Sequence, residues 1–221
     1  MSPAIREEDR ADLRLALPLG SLFEPCLDML DRAGFDTAEP RGESRALIFD
    51  LGGLTIVTVR PSDVPIYVED GAAELGVTGK DVLVEQSDRA VYELADLDFG
   101  HCRMVLAAHV DSDHLAAVEQ RLGSLRIATK YPRTAAAYFA ATGRQADLIE
   151  VKGSVELAPL VGLADGIVDL VDTGRTLADN GLEVVEEISA CSARLLANRV
   201  AHKLRVDELD AMVERLRGAA G

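Results

Sequence analysis

Between Asp169 and Leu177 the chain reads DLVDTGRTL, directly after the apolar run at 166–168. Two carboxylates three apart at the end of an apolar strand accept charge-assisted hydrogen bonds from vicinal sugar hydroxyls. Thr173, Gly174, Arg175 and Thr176 turn several backbone N–H groups inward, and Gly174 tolerates a positive φ and a close approach. A helical turn starting near Thr176 adds the end of the dipole that favours an anion. Ribose at the acids and phosphate at the amides together describe a ribose 5-phosphate site. The same residues also describe a plain turn with two helix-capping acids, and the loop alone leaves both readings open.

Other chemistry has weaker support. No Ser/His/Asp or Cys/His arrangement stands out. His101, His109, His114 and His202 are scattered and lack metal-ligand spacing. Cys26, Cys102 and Cys191 are odd in number and far apart, and read as small buried apolar side chains. The net charge of −15 opposes broad contact with nucleic acid or an anionic membrane. It leaves room for a phosphorylated small ligand, because local amides, a few bases and a magnesium ion override the global field at short range.

The elements that must position the loop follow from apolar patterning. The chain has 221 residues, 48% of them apolar, enough for two small domains each with a core. No apolar run reaches the roughly 18–20 residues of a membrane span. The opening MSPAIREEDRADLR lacks an apolar signal core, so a cytoplasmic protein is expected. Strands are predicted at 13–17, on both sides of Gly52-Gly53 as a hairpin, at 74–79, 103–110, 125–130, 146–151 and 166–171, with extended segments at 182–188 and 193–199. Helices are predicted at 21–34 with Ser21 and Glu24 as a capping box, from Ser62, at 112–122, at 133–143, from Ser154 and at 205–217. In the last, Val206, Leu209, Met212, Val213 and Leu216 recur at helical spacing, and the apolar stripe is expected to cover the chain's own core. The alternation predicts an α/β fold with mostly parallel sheets. Residues 68–81 and 161–176 echo each other as helix, Gly/Ala/acid turn, apolar strand and Thr-Gly. The echo suggests two lobes with ligand loops at strand ends and a site in the cleft between them.

The wider stretch ELAPLVGLADGIVDLVDTGRTL, 156–177, resembles the signature of the ATP phosphoribosyltransferases. Glu156, Gly162, Ala164, Ile167, Asp169, Thr173, Gly174, Thr176 and Leu177 all match. The segments 60–85, 126–143, 153–160 and 192–199 are also similar to that family, so the resemblance runs from about Leu13 to Arg199. It implies two lobes resembling type II periplasmic binding proteins, residues 1–100 plus 190–221 and residues 101–189, with the active site in the inter-lobe cleft. It implies a glycosyltransferase that joins ATP to phosphoribosyl pyrophosphate through a purine ring nitrogen and releases pyrophosphate, with Mg2+ carried by the substrate, as the first step of histidine biosynthesis. Carried over by position, Asp169 and Asp172 bind ribose hydroxyls, and Thr173, Gly174, Arg175 and Thr176 bind the 5-phosphate. Arg45 serves the pyrophosphate, while Gly79, Lys80, Asp81 and Glu156 contact ATP or pyrophosphate. Arg60, Lys130 and Tyr131 are weaker candidates, and no residue is assigned as a resident metal ligand.

One departure stands out. Where the family opens with a strand and then Pro-Lys-Gly-Arg, this chain reads PLGS, with Leu19 and Ser21 in place of the two bases. A polyanion site lacking two positive charges binds phosphates more weakly. This leaves an alternative, a weakened or regulatory paralogue that keeps the ribose-phosphate loop. A plain ligand-binding protein of the periplasmic type is a third reading, opposed by the 156–177 signature. The chain reaches one helix beyond ANRV, which resembles the short form of the family. That form implies a histidyl-tRNA-synthetase-like regulatory partner, a dimer or hetero-oligomer, and no contact with nucleic acid or membrane.

Overall fold

The computed structural model describes residues 12–43, 45–110 and 113–220. The chain begins with β1 (Leu13–Pro18), α1 (Phe23–Arg32), β2 (Ile48–Asp50), β3 (Leu54–Val59), α2 (Val64–Glu69), β4 (Leu75–Gly79), α3 (Lys80–Glu85) and β5 (Val91–Asp96). It continues with β6 (Cys102–His109), α4 (Asp113–Leu122), β7 (Leu125–Thr129), α5 (Pro132–Thr142), β8 (Ala146–Glu150), α6 (Leu157–Leu160), β9 (Gly166–Val171), α7 (Arg175–Asp179) and β10 (Leu182–Cys191). It closes with β11 (Ala193–Asn198), α8 (Arg199–Leu204) and α9 (Val206–Ala220). Two compact units result: residues 1–100 with 192–221, and residues 101–191.

In the first unit the sheet order is β2-β3-β1-β4-β11-β5. Its central strands are buried on both faces, which is why LRLALP reads as a near-continuous apolar run. Leu13, Leu15 and Leu17 face one core with Cys26, Leu27, Met29 and Leu30 of α1. Ala16 faces another with Val64 and Val68 of α2. As expected, the C-terminal helix lays Leu209, Val213 and Leu216 on its own unit's core. Two arginines lock α9 to α1. Arg32 Nε donates to the Ala219 carbonyl at 2.6 Å, and Arg215 Nε donates to the Ala33 carbonyl at 2.6 Å while stacking 4.1 Å over the Phe35 ring. Each satisfies a carbonyl at a helix C-terminus that lacks an intrahelical partner.

In the second unit the order is β10-β6-β9-β7-β8. Along β9, side chains alternate between a core with Met104, Leu106 and Phe139 and one with Val105, Ala158 and Leu177. Arg126 and the buried Asp165 tie the start of β7 to the start of β9, with Nη2 2.7 Å from Oδ1 and the Arg126 N–H 2.8 Å from Oδ2.

Four expectations are corrected. The sheets are mixed rather than mostly parallel: β1–β3, β1–β4, β7–β8 and β7–β9 run parallel, and the other pairings run antiparallel. The antiparallel pairs arise from the β2–β3 hairpin and from strands that return to a sheet from far along the chain: β9 and β10 on either side of β6, and β11 between β4 and β5. Ser21 and Glu24 form no capping box. The helix begins at Phe23 behind Leu22, with no side-chain cap, and Glu24 instead pairs with Arg41. Ser154 opens no helix, since α6 starts at Leu157 after a turn. Finally, β5 and α3 were not anticipated. Val91–Asp96 has no fully buried residue, so its apolar alternation is weak, and Gly79-Lys80 read as a turn rather than the start of a helix.

Candidate functional site

The 169–177 loop lies wholly in the second unit. β9 carries Asp169 inside the strand, opposite Val105 on β6, rather than at its end. Its side chain shares a face with Ile167 and Val171, so it is buried, at 7% exposure. The chain then bends through Asp172 and Thr173 and enters α7, a short helix that reaches only to Asp179. Gly174 takes φ +79° at the N-cap, a left-handed conformation in which a side chain is strained. The Arg175 N–H donates to Thr173 Oγ1 at 3.4 Å, and Leu177 anchors the helix in the core beneath. The result is a pocket of about 270 Å³ lined by Glu156, Asp169, Asp172, Thr173, Gly174, Arg175 and Thr176, with Leu170, Val171 and Leu177.

Asp169 is the electrostatic centre of this pocket. Burial pushes its carboxyl above the ordinary value of 3.8; Lys130 and the Leu170 N–H, 2.9 Å from Oδ1, oppose this, and Glu156 adds to it. Lys130 Nζ stands 3.6 Å from Oδ2. Lys130 directly follows β7, whose Thr129 pairs with Val168 on β9, and so reaches the next carboxylate along. Sequence reasoning ranked Lys130 low; the signal available was a base placed at a strand end in RIATK. Asp172, Thr173, Arg175 and Thr176 are exposed and face solvent at the rim. Glu156 sits at the N-cap of α6 without capping it, which leaves its carboxylate to the pocket.

A group buried with a raised pKa binds its proton more tightly in the folded chain than in the unfolded one. Folding stability then falls as pH rises from the ordinary carboxylate value through the raised one. Asp169→Asn is therefore expected to unfold at higher denaturant than the wild type at pH 7, with the gap closing as the pH drops below about 4. Urea midpoints at the two pH values measure this; a variant less stable at pH 7 than the wild type contradicts a buried, costly carboxylate.

Tyr131 lies in the second unit, at the N-cap of α5 and partly buried against that unit's core, and the remaining candidates belong to the first unit. Gly79 ends β4, and Lys80 and Asp81 begin α3. Asp81 is buried, with Oδ1 2.0 Å from where a Cβ at position 79 would stand, so a side chain at Gly79 displaces it. Lys80 Nζ donates to Glu93 Oε2 at 2.7 Å, and any phosphate it binds must compete with that carboxylate. Sequence reasoning missed this surrounding network. Arg194 bridges Glu93 at 3.5 Å and Asp96 at 2.8 Å, and Asp96 Oδ1 accepts from Ser192 Oγ at 2.8 Å. Arg45 is exposed in the segment before β2, and Leu19 and Ser21 are exposed just after β1. Among the described residues no helix is long and apolar enough to cross a membrane.

Fold and loop define a class: a two-unit α/β protein whose second sheet carries a small pocket lined by Glu156, Asp169, Asp172 and a Thr-Gly turn. A family profile described as ATP phosphoribosyltransferase matches residues 60–218. The ATP phosphoribosyltransferase of Rubrobacter xylanophilus is 50% identical over 91% of this chain and 93% of its own length. That of Burkholderia lata is 48% identical over 95% and 97%. The chain belongs to the ATP phosphoribosyltransferase family, glycosyltransferases that condense ATP with phosphoribosyl pyrophosphate in the first step of histidine biosynthesis. Among solved structures, the ATP phosphoribosyl transferase (HisG:HisZ) complex from Thermotoga maritima has a chain that superposes with a TM-score of 0.76 at 33% identity, covering 94% of this chain and 98% of that one. The periplasmic aliphatic sulphonate binding protein SsuA from Escherichia coli shares the fold, with a TM-score of 0.61 at 12% identity over 95% of this chain and 72% of its own.

Proposed function

We propose that this chain is a short-form catalytic subunit acting in the cytoplasm, and that the pocket at 169–177 is its phosphoribosyl cradle. The observation that carries this reading is a buried carboxylate and a left-handed glycine brought together in one small pocket. In the reaction a purine ring nitrogen of ATP forms a bond to the anomeric carbon as the bond to pyrophosphate breaks. Positive charge develops on the sugar and negative charge on the leaving group, so positioning and electrostatics dominate. Asp169 and Asp172 accept bonds from the ribose hydroxyls and stabilise the sugar's developing positive charge. Lys130 offsets part of the cost that burial places on the Asp169 carboxylate. The amides from Thr173 to Thr176 hold the 5-phosphate. Arg45 faces the pyrophosphate, and Gly79, Lys80 and Asp81 contact ATP or pyrophosphate.

Magnesium is read as a passenger on the substrate. Among the described residues no group of three or more acid, histidine or cysteine side chains is placed to hold an ion, and Asp169 already faces Lys130. Carried by the pyrophosphate, such an ion would supply neutralisation of the leaving-group charge. The likeness to a chain crystallised in a HisG:HisZ complex supports a histidyl-tRNA-synthetase-like regulatory partner and a hetero-oligomer.

Leu19 and Ser21 shape the expected kinetics. A charge-assisted phosphate contact contributes about 1.5–3 kcal/mol. The double change Leu19→Lys with Ser21→Arg is expected to raise kcat/KM by at least about tenfold, the factor one such contact already supplies. It carries no helix penalty, because Ser21 caps nothing. Steady-state formation of phosphoribosyl-ATP from ATP and phosphoribosyl pyrophosphate, with and without the partner, tests both claims. No product from the wild-type chain under either condition contradicts the function. A wild type equal to the double variant shows that other bases compensate.

A further inference from the structure

We propose that Cys102 and Cys191 are a redox-active thiol pair that closes into a reversible disulfide. The two lie 89 positions apart in the sequence, which hid the pairing, yet the antiparallel register of β6 and β10 sets Cys102 directly opposite Cys191. Directly opposed residues in such a ladder have Cα atoms about 4.5–5.5 Å apart and side chains on the same face. That range falls inside the roughly 4.4–6.8 Å over which a disulfide forms without backbone movement. The pair is the last in the ladder, where local opening costs least. Cys102 is partly exposed and open to a small oxidant, while Cys191 is buried beside it. Cys26 provides a contrast. It is fully buried in the core of the first unit, where burial pushes its thiol up and leaves it inert.

The oxidant class that suits this arrangement is a low-molecular-weight disulfide such as oxidised glutathione. The Cys102 thiolate attacks one sulfur of that disulfide, forming a mixed disulfide and releasing one thiol. The Cys191 thiolate then attacks the Cys102 sulfur, forming the protein S–S bond and releasing the second thiol. The two cysteine protons end on the two released thiols, and the two electrons reduce the oxidant. The position gives the bond a structural consequence. The chain enters the second unit between Gly100 and His101 and leaves it between Cys191 and Ser192. A Cys102–Cys191 bond therefore closes nearly the whole unit, phosphoribosyl pocket included, into one covalent ring.

The test uses the full chain exposed to oxidised glutathione. The thiol titre under denaturing conditions should fall from three to one per chain. The mass should drop by two hydrogens, and a tryptic map should join the peptides holding Cys102 and Cys191; dithiothreitol should reverse all three changes. The oxidised chain should melt roughly several degrees higher, as expected when a long loop is cross-linked. Cys191→Ser should halt at a stable glutathione adduct on Cys102; where that variant folds poorly, the wild-type peptide map decides alone. Three thiols remaining after prolonged exposure, a wild-type chain that stops at the adduct, or a link through Cys26 would each overturn the proposal.

Discussion

Asp169→Asn lowers kcat/KM for phosphoribosyl pyrophosphate about a hundredfold while leaving the chain folded. Asparagine keeps the shape of the side chain and removes its charge. Hydrogen bonds from vicinal hydroxyls to a carboxylate contribute about 1.5–3 kcal/mol, one to two decades in rate. On the proposed reading the residue faces the carbon on which positive charge develops, so kcat should fall as well as affinity. The effect is sharpened by burial: Asp169 is 7% exposed, and water cannot replace the lost charge. Calorimetric titration with phosphoribosyl pyrophosphate, with steady-state kinetics alongside, measures both parts. The same substitution is expected to stabilise the fold at neutral pH, which separates a functional loss from an unfolded variant. Unchanged kinetics in a stable Asp169→Asn chain would leave the loop a structural turn.

Arg45→Ala is expected to reduce kcat by about a hundredfold or more. A donor aimed at charge that appears only in the transition state acts on kcat, and losing one such donor typically costs 10²–10³. Leu19 and Ser21 supply no charge, so on the proposed reading Arg45 would carry a larger share of the leaving group. Its exposure predicts almost no effect on stability, within about 0.5 kcal/mol. Turnover of Arg45→Ala, with and without added guanidinium, reads this directly. A variant that keeps wild-type kcat removes Arg45 from the mechanism.

The legible parts of the sequence were those where local pattern and tertiary environment agree. β1, β4, β6, β7 and β9 are apolar because they are buried, and α9 shows its stripe because one face is buried. The loop from Asp169 to Thr176 was readable as a strand running into a glycine turn and a short helix, because an apolar run followed by Thr-Gly is a local pattern. The illegible parts were decided by partners distant in sequence. Glu24 looked like half of a capping box until Arg41 claimed it. Lys80 was read as a ligand contact, and nothing near it in sequence announces that Glu93 pairs with it. Lys130 was undervalued because only the β7–β9 register brings it to Asp169. The burial of Asp169 was likewise invisible, since an acid in a strand pattern reads as its end. Strand direction was misjudged because β9 and β10 return beside β6, and β11 between β4 and β5, from far along the chain, which local pattern does not record.

The sheet order of the first unit sets a timetable for synthesis. β11 sits between β4 and β5, and β5 joins the sheet through β11 alone. Both β4 and β5 leave the ribosome before any residue of the second unit, while β11 leaves after all of it. At about 5–20 residues per second, β5 waits roughly 5–20 seconds for its neighbour. The second unit, one unbroken stretch of chain, is complete when that wait ends. A nascent chain therefore finishes the unit that holds the phosphoribosyl pocket first. For those seconds the first unit carries two unpaired strand edges, the kind of surface on which a newly made chain meets chaperones or aggregates.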